Sequence, residues 1–366
     1  FTAVRCQFEF RISNFEFLKI FLMADAPLVS PPSVASRLGD LPQPVAVTGG
    51  TGFVGSHLVD TLCCAGIRPR VLVRDPSSPR WIADRPVEWV PGSLEDRDAL
   101  DDLVAGSKTV VHLAGVVTAD NAADLDRGKS DGTARLVAAV RSKAPLSRLV
   151  HVSSLAAVGP AKTPDGVGPE AEPSPVSDYG RSKLAAERKV RALGENSWWT
   201  IVRPPAIYGP RDTDMFEFFK MVDGGWVTIP TGEHWLTVAY VADVVRCILA
   251  AAVAEETGRV FHLGEPDPYR MESVFKQIAD AGGKRFRMIR VPPAVVDLVA
   301  GIAVPLRRTG LWRTALTRDK AREAREACWT ARTADSLAAL AVGDQTSLCS
   351  GAGQTWSWLR EHGWLK

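Results

Sequence analysis

Eight residues constrain this chain more than any others. Thr48-Gly49-Gly50-Thr51-Gly52-Phe53-Val54-Gly55 lies between a β-branched run, Val45 to Thr48, and an apolar helical pattern, Val54 to Ala65. Glycines at 49, 52 and 55 let the backbone turn tightly, approach a pyrophosphate and pack helix on strand, while the helix N-terminus offers unpaired N–H groups and a positive dipole end. Glycine turns also join strands to helices for steric reasons alone; the strand-turn-helix context is what points to a dinucleotide. Short β-branched runs then recur at Arg70 to Val73, Val87 to Val90, Thr109 to Leu113, Arg148 to Ser153 and Thr200 to Val202, with helical patterns at Asp96 to Val104, Leu125 to Val140 and Tyr179 to Leu193. That alternation predicts an α/β fold, a doubly wound parallel sheet of Rossmann type with its ligand crevice at the carboxyl ends of the strands.

The rhythm spans residues 44–203, the expected dinucleotide-binding domain, and breaks into shorter mixed elements over 204–366, the expected C-terminal substrate-binding lobe. Residues 1–43 read as an extension and linker. The first 22 are aromatic and basic and interrupted by Glu9, Glu16 and Lys19, against a secretory signal; Met23 is a candidate initiator, and Ala26 to Pro44 is rich in Pro and Ser. With 46% hydrophobic and 23% charged residues the chain has a globular composition. Its 44 Lys and Arg balance 42 Asp and Glu, which supplies no field for gripping nucleic acid. A small-molecule ligand is the expected partner, and a homodimer is compatible with the composition. No uninterrupted apolar run reaches membrane-spanning length. Val291 to Arg308 combines apolar residues with Arg307, Arg308 and the nearby Arg313, a composition suited to a membrane surface, but Asp297 and Pro305 interrupt it and favour a packed helix with a basic loop. The six cysteines show neither CxxC nor zinc spacing, so free thiols in a reducing, cytoplasmic setting and no metal site are expected.

Three further positions carry chemistry. Nineteen residues after Gly55, where an acidic side chain would clasp a ribose, stands Arg74, followed by Asp75. A guanidinium there suits a 2′-phosphate, so NADP(H) is favoured over NAD(H), with Asp75 on the ribose as the alternative. Tyr179 and Lys183 are four apart and share a helix face, where an ammonium can favour the phenolate; an ordinary surface contact has the same spacing. The strand ending His151-Val152-Ser153-Ser154 puts a hydroxyl at the sheet edge, suited to a substrate oxygen or simply to a turn.

Taken in order, Thr48 to Gly55, Val110 to Gly115, Val152-Ser153-Ser154, Tyr179 to Lys183, Arg203 to Pro210 and Tyr240 to Val244 resemble the extended short-chain dehydrogenases/reductases, over nearly the whole chain from Pro44. The resemblance implies that Tyr179 is the acid/base and that Lys183 holds the nicotinamide ribose and lowers the Tyr pKa. It makes Ser154, with Ser153 as fallback, the group that orients the reacting carbonyl. It assigns the cofactor to Gly49, Thr51, Gly52, Phe53, Val54, Gly55 and Arg74, with Ser93 and Leu94 at the adenine, Leu113 and Ala114 at its ribose, and Pro204 and Ile207 at the nicotinamide. Ser93 stands where the family usually has Asp, and Lys129 where it usually has Asn, which puts the family's proton relay in question. Ser154-Leu155-Ala156 lacks a dehydratase Asp-Glu pair, and Ala206 replaces the Asn of nucleotide-sugar epimerases. The chain is similar to the dihydroflavonol-reductase and 3β-hydroxysteroid-dehydrogenase branch, which implies ketone/alcohol interconversion on a bulky apolar molecule. The alternatives are a nucleotide-sugar epimerase and a non-catalytic NADP(H)-binding protein. Met215, Phe216, Phe218, Phe219 and Met221, with Trp226 and Trp235, are candidates for either core or pocket lining.

Overall fold

The computed structural model describes residues 38–115, 131–292 and 318–365. Lys129, most of the 291–308 stretch and the N-terminal extension with most of its linker lie outside the described residues. In chain order the strands are β1 (Val45–Thr48), β2 (Arg70–Val73), β3 (Glu88–Pro91), β4 (Thr109–His112), β5 (Arg148–Val152), β6 (Trp199–Arg203), β7 (Ala206–Tyr208), β8 (Trp226–Pro230), β9 (Trp235–Leu236), β10 (Val238–Tyr240), β11 (Arg259–His262), β12 (Tyr269–Arg270), β13 (Arg287–Val291) and β14 (Cys328–Trp329). The α-helices are α1 (Phe53–Cys64), α2 (Arg97–Val104), α3 (Gly132–Lys143), α4 (Asp178–Arg191), α5 (Phe216–Asp223), α6 (Val241–Val253), α7 (Met271–Gly282), α8 (Arg318–Ala324), α9 (Ala334–Ala339) and α10 (Leu348–Glu361).

Seven strands form one sheet in the order β11-β6-β5-β4-β1-β2-β3, all parallel. Successive side chains point to opposite faces. Val45 and Val47 therefore enter one apolar layer with α1 and α6, through Leu58, Leu62, Val245 and Ile248. Ala46 enters the other, with Leu100, Leu136 and Val190 of α2, α3 and α4. Burial on both faces accounts for near-continuous apolar strands.

The sequence rhythm suggests six strands; the structure has seven. The chain crosses out after β6, builds β7 to β10 of the second lobe, then returns through α6 and β11 to finish the first sheet. Residues beyond Pro204 thus serve both lobes. The second lobe has its own core, centred on Phe219, Phe275, Ile278 and Trp356. Met215 and Phe219 are buried in it, Phe218 stacks on Phe275 at 4.6 Å and Phe216 meets Trp364 at 5.1 Å, so the aromatic patch after β7 is chiefly core. Trp226 is 53% exposed and lines nothing inside. Among the described residues no helix is long and apolar enough to cross a membrane.

Candidate active site

The glycine turn, the ends of β2 to β6 and Ser154 lie at the carboxyl edge of the seven-stranded sheet. The chain order reverses at β1, whose neighbours are β2 and β4, and this is where a doubly wound sheet opens its crevice. The glycine turn runs from β1 into α1. Gly49 has φ +75°, and a Cβ there would lie 2.6 Å from the Ala114 nitrogen; a Cβ on Gly55 would lie 2.0 Å from the Gly49 carbonyl oxygen. Only glycine fits both places. No side chain caps the start of α1 and no acidic residue lies in its first turn, so the N–H groups of Phe53, Val54 and Gly55 face the crevice without a side-chain acceptor. A backbone cradle beside an uncapped helix N-terminus fits a pyrophosphate.

The flanking positions converge on this turn. Arg74 follows β2 and is exposed, while the Asp75 carboxylate accepts from the Ser77 N–H and hydroxyl at 2.9 and 2.6 Å, a local turn. Ser93, after β3, accepts from the Glu95 N–H at 3.1 Å, and Leu94 packs against the start of α3. Leu113 and Ala114 follow β4, with the Ala114 N–H donating to Thr48 Oγ1 at 3.2 Å. Pro204 follows β6 and its carbonyl accepts from the Leu155 N–H at 2.8 Å; Ile207, in β7, sits partly buried where the two lobes meet.

The side chains expected to carry chemistry lie just after β5 and on α4. Ser154 Oγ accepts from the Ala156 N–H at 3.2 Å, capping a short 3₁₀ turn, and hydrogen-bonds the Tyr179 phenol. Because one lone pair is engaged by the backbone, the Ser154 proton is available to Tyr179 or to an incoming oxygen. Burial pushes the phenol up to about 12, Ser154 pulls it down, and Glu323 and Asp214 add to the rise. Lys183, one turn along, donates to the Val152 carbonyl at 3.0 Å, and burial lowers its ammonium to about 8 against the opposing pull of Glu187. The group drawing the phenol down is therefore Ser154, whereas Lys183, expected to do so, is turned toward β5.

Ser153, the alternative to Ser154, has its hydroxyl engaged elsewhere. Its hydroxyl donates to Glu187 Oε1 at 2.5 Å, inside the sheet-helix layer. Glu187, a turn beyond Lys183, also accepts from Arg203 Nε at 2.8 Å and Nη2 at 2.7 Å, with both charged side chains almost wholly buried. Next to this pair, His112 links Thr48 Oγ1 (2.7 Å) to Thr133 Oγ1 (2.9 Å), and its ring lies 5.1 Å from His151. Burial and Lys183 hold both imidazoles neutral, His112 down at about 3. This polar layer went unnoticed in the sequence, where only the spacing of Lys183 and Glu187 could have signalled it.

A further contact comes from the second lobe. The Asp319 carboxylate, on α8, accepts from the Asp178 N–H at 2.8 Å and the Tyr179 N–H at 2.9 Å, closing the N-terminus of the helix that carries Tyr179.

Comparison with known proteins agrees with this geometry. Residues 45–264 match the model of the NAD dependent epimerase/dehydratase family. The chain is 36% identical to a ceramide reductase of Caulobacter vibrioides over 88% of this chain and 96% of that one. It is 32% identical to a 3 beta-hydroxysteroid dehydrogenase/Delta 5→4-isomerase of Mycobacterium tuberculosis over 70% and 74% of the two chains. Among solved structures, a double mutant of a dTDP-glucose 4,6-dehydratase from Streptomyces venezuelae with NAD bound superposes with a TM-score of 0.70 at 20% identity, covering 88% of this chain and 99% of that one, and shares the fold. The chain thus belongs to the NAD-dependent epimerase/dehydratase family and is an NAD(P)-dependent enzyme of the extended short-chain dehydrogenase/reductase type.

Proposed function

We propose that the protein interconverts a ketone and a secondary alcohol on a bulky, apolar, lipid-like molecule, using NADP(H) in preference to NAD(H). The observation that carries this reading is the grouping of Ser154, Tyr179 and Lys183 beside the glycine cradle. Gly49 to Gly55 would hold the pyrophosphate and Arg74 the 2′-phosphate, the latter supported by the engagement of Asp75 in its own turn. A bound nicotinamide supplies or accepts the hydride. Ser154 hydrogen-bonds the substrate oxygen, and Tyr179 donates its proton to that oxygen as negative charge develops there. A phenol pushed up to about 12 is protonated at neutral pH, the form that reduction requires. Lys183 is placed one helical turn on to hold the ribose hydroxyls, and the Ser154 hydroxyl is the group that favours the phenolate left behind.

Two relatives support an apolar substrate through their names, a ceramide reductase and a 3 beta-hydroxysteroid dehydrogenase. Ala206, partly buried in β7, presents a methyl group where a sugar-nucleotide enzyme of the family would place an amide. NADPH consumption is to be followed with long-chain keto-lipids, steroid ketones and UDP-sugars. Turnover with an apolar ketone and none with UDP-sugars supports the proposal; epimerisation of a UDP-sugar overturns it, and NADPH binding without turnover of any ketone or sugar favours a non-catalytic role.

A further inference from the structure

A helix leaves its first N–H groups without intrahelical partners, and most helices satisfy them from residues next to the end. In α4 the local cap is Ser177, whose hydroxyl accepts from the Gly180 N–H at 3.0 Å, while the Ser177 carbonyl accepts from Arg181. The two remaining donors, on Asp178 and Tyr179 itself, go one to each oxygen of Asp319, more than 130 residues away. Asp319 is held in turn. Arg322 lies 3.5 Å from it and reaches the Asp178 carboxylate at 3.3 Å. The helix carrying it is tied down elsewhere, by Lys320 to Asp214 at 3.2 Å and by the Trp329 indole N–H to the Glu323 carbonyl at 2.8 Å.

We propose that Asp319 is a positioning residue for Tyr179, through which the second lobe fixes the first turn of α4 and hence the phenol against Ser154. The inference rests on Tyr179 being the acid of the reaction. The carboxylate engages the backbone of the reacting residue, so its loss frees that residue while the rest of α4 stays packed through Ala186 and Val190. It also places a negative charge at the positive end of the helix beside the phenol. The charged groups that raise the phenol are Asp214 before α5 and Glu323 on α8, and a substitution at Asp319 removes neither.

The experiment compares Asp319→Ala and Asp319→Asn in the full chain, reading kcat, NADPH affinity and the basic limb of the kcat profile. The Cζ resonances of the four tyrosines are recorded alongside, with Tyr179→Phe identifying the relevant signal. Asp319→Ala is expected to lower kcat by ~10- to 100-fold, as small displacements of a catalytic group do, with NADPH affinity and the basic limb held and the Tyr179 resonance displaced. Asp319→Asn, which keeps one acceptor oxygen, recovers part of kcat. Unchanged kcat in the alanine variant, or NADPH affinity falling in step with kcat, overturns the proposal. Should Tyr179→Phe retain turnover, the assignment of the acid fails instead, and an unmoved Tyr179 resonance in Asp319→Ala then overturns the positioning role separately.

Discussion

Replacing Glu187 by Gln tests the electrostatics of the layer beneath the active site. The substitution keeps the size of the side chain and removes its charge. Glu187 and Arg203 are exposed by 0% and 1%, joined by bonds of 2.8 and 2.7 Å, and Ser153 donates to the same carboxylate. Without the carboxylate the guanidinium is left buried with His262 Nε2 at 3.5 Å as its other neighbour, an imidazole whose basicity is itself lowered by Arg203. Breaking such a pair from one side costs ~3–5 kcal/mol. For a chain of 366 residues, at about 1.3 °C per kcal/mol, Tm falls by roughly 4–6 °C. The cost arises from an unpaired buried charge, so Glu187→Leu combined with Arg203→Leu should recover much of it, since apolar replacement of a whole buried pair is often neutral. Differential scanning calorimetry on both single variants and the double completes the cycle. A Gln variant melting within a degree or two of the unsubstituted protein, or a double variant whose loss equals the sum of the singles, refutes the reasoning.

Tyr179→Phe should abolish turnover while leaving NADPH binding within a few-fold; measurable kcat removes the phenol from the mechanism. Arg74→Ala should weaken NADPH far more than NADH by isothermal titration, and equal losses refute a 2′-phosphate contact. Burial holds His57 and His262 down at about 4 and His112 at about 3, with His151 well below its usual value, so the unfolded chain takes up these protons between about pH 6.5 and 4 and stability falls as pH drops through that window. Asp212 and Glu265, pushed up to about 7, act in the opposite sense. Four imidazoles against the raised carboxyls of Asp212, Glu265 and Asp243 leave a net loss of stability as pH falls, and a flat urea midpoint between pH 6.5 and 5 contradicts it. Lys183, lowered to about 8, acts in the same sense as the imidazoles but in alkali: the unfolded chain binds the extra proton between about pH 8 and 10.5, so this group adds stability as pH rises through that range. Lys183→Met should remove that increment from the urea midpoints.

Sequence and structure agree most closely where the signal is short-range and two-sided. Val45–Thr48 and Arg70–Val73 coincide with their expected bounds because a strand buried on both faces is β-branched throughout. The Tyr179/Lys183 pair is readable because four residues make one helical turn. The seventh strand escaped notice for the opposite reason: Arg259–His262 is an edge strand with two apolar residues, starting at an exposed Arg. Helix α6 is buried on nearly every side, so its apolar residues show no stripe that would assign it to the first sheet. Ser153 and Ser154 differ in which way each points from the end of β5, and the bond from Ser153 to Glu187, a long-range partner, leaves no trace in the local sequence. Asp319 carried no signal at all, since a carboxylate that caps a helix from 140 residues away leaves no spacing in the chain.

The position of β11 has a consequence for the order in which the molecule is made. During synthesis the first six strands emerge while β6 still presents an open edge, and more than fifty further residues must follow before Arg259–His262 can pair with it. Throughout that interval the outer backbone groups of β6 lack a strand partner and Val202 lacks the cover that α6 later gives it, the kind of edge along which nascent chains pair with one another. The first part of the second lobe, β7 to β10 with α5, is threaded through this gap, so the sheet closes only after that part has been translated. A ribosome stalled near residue 250 would thus carry a sheet with its β6 edge still uncovered.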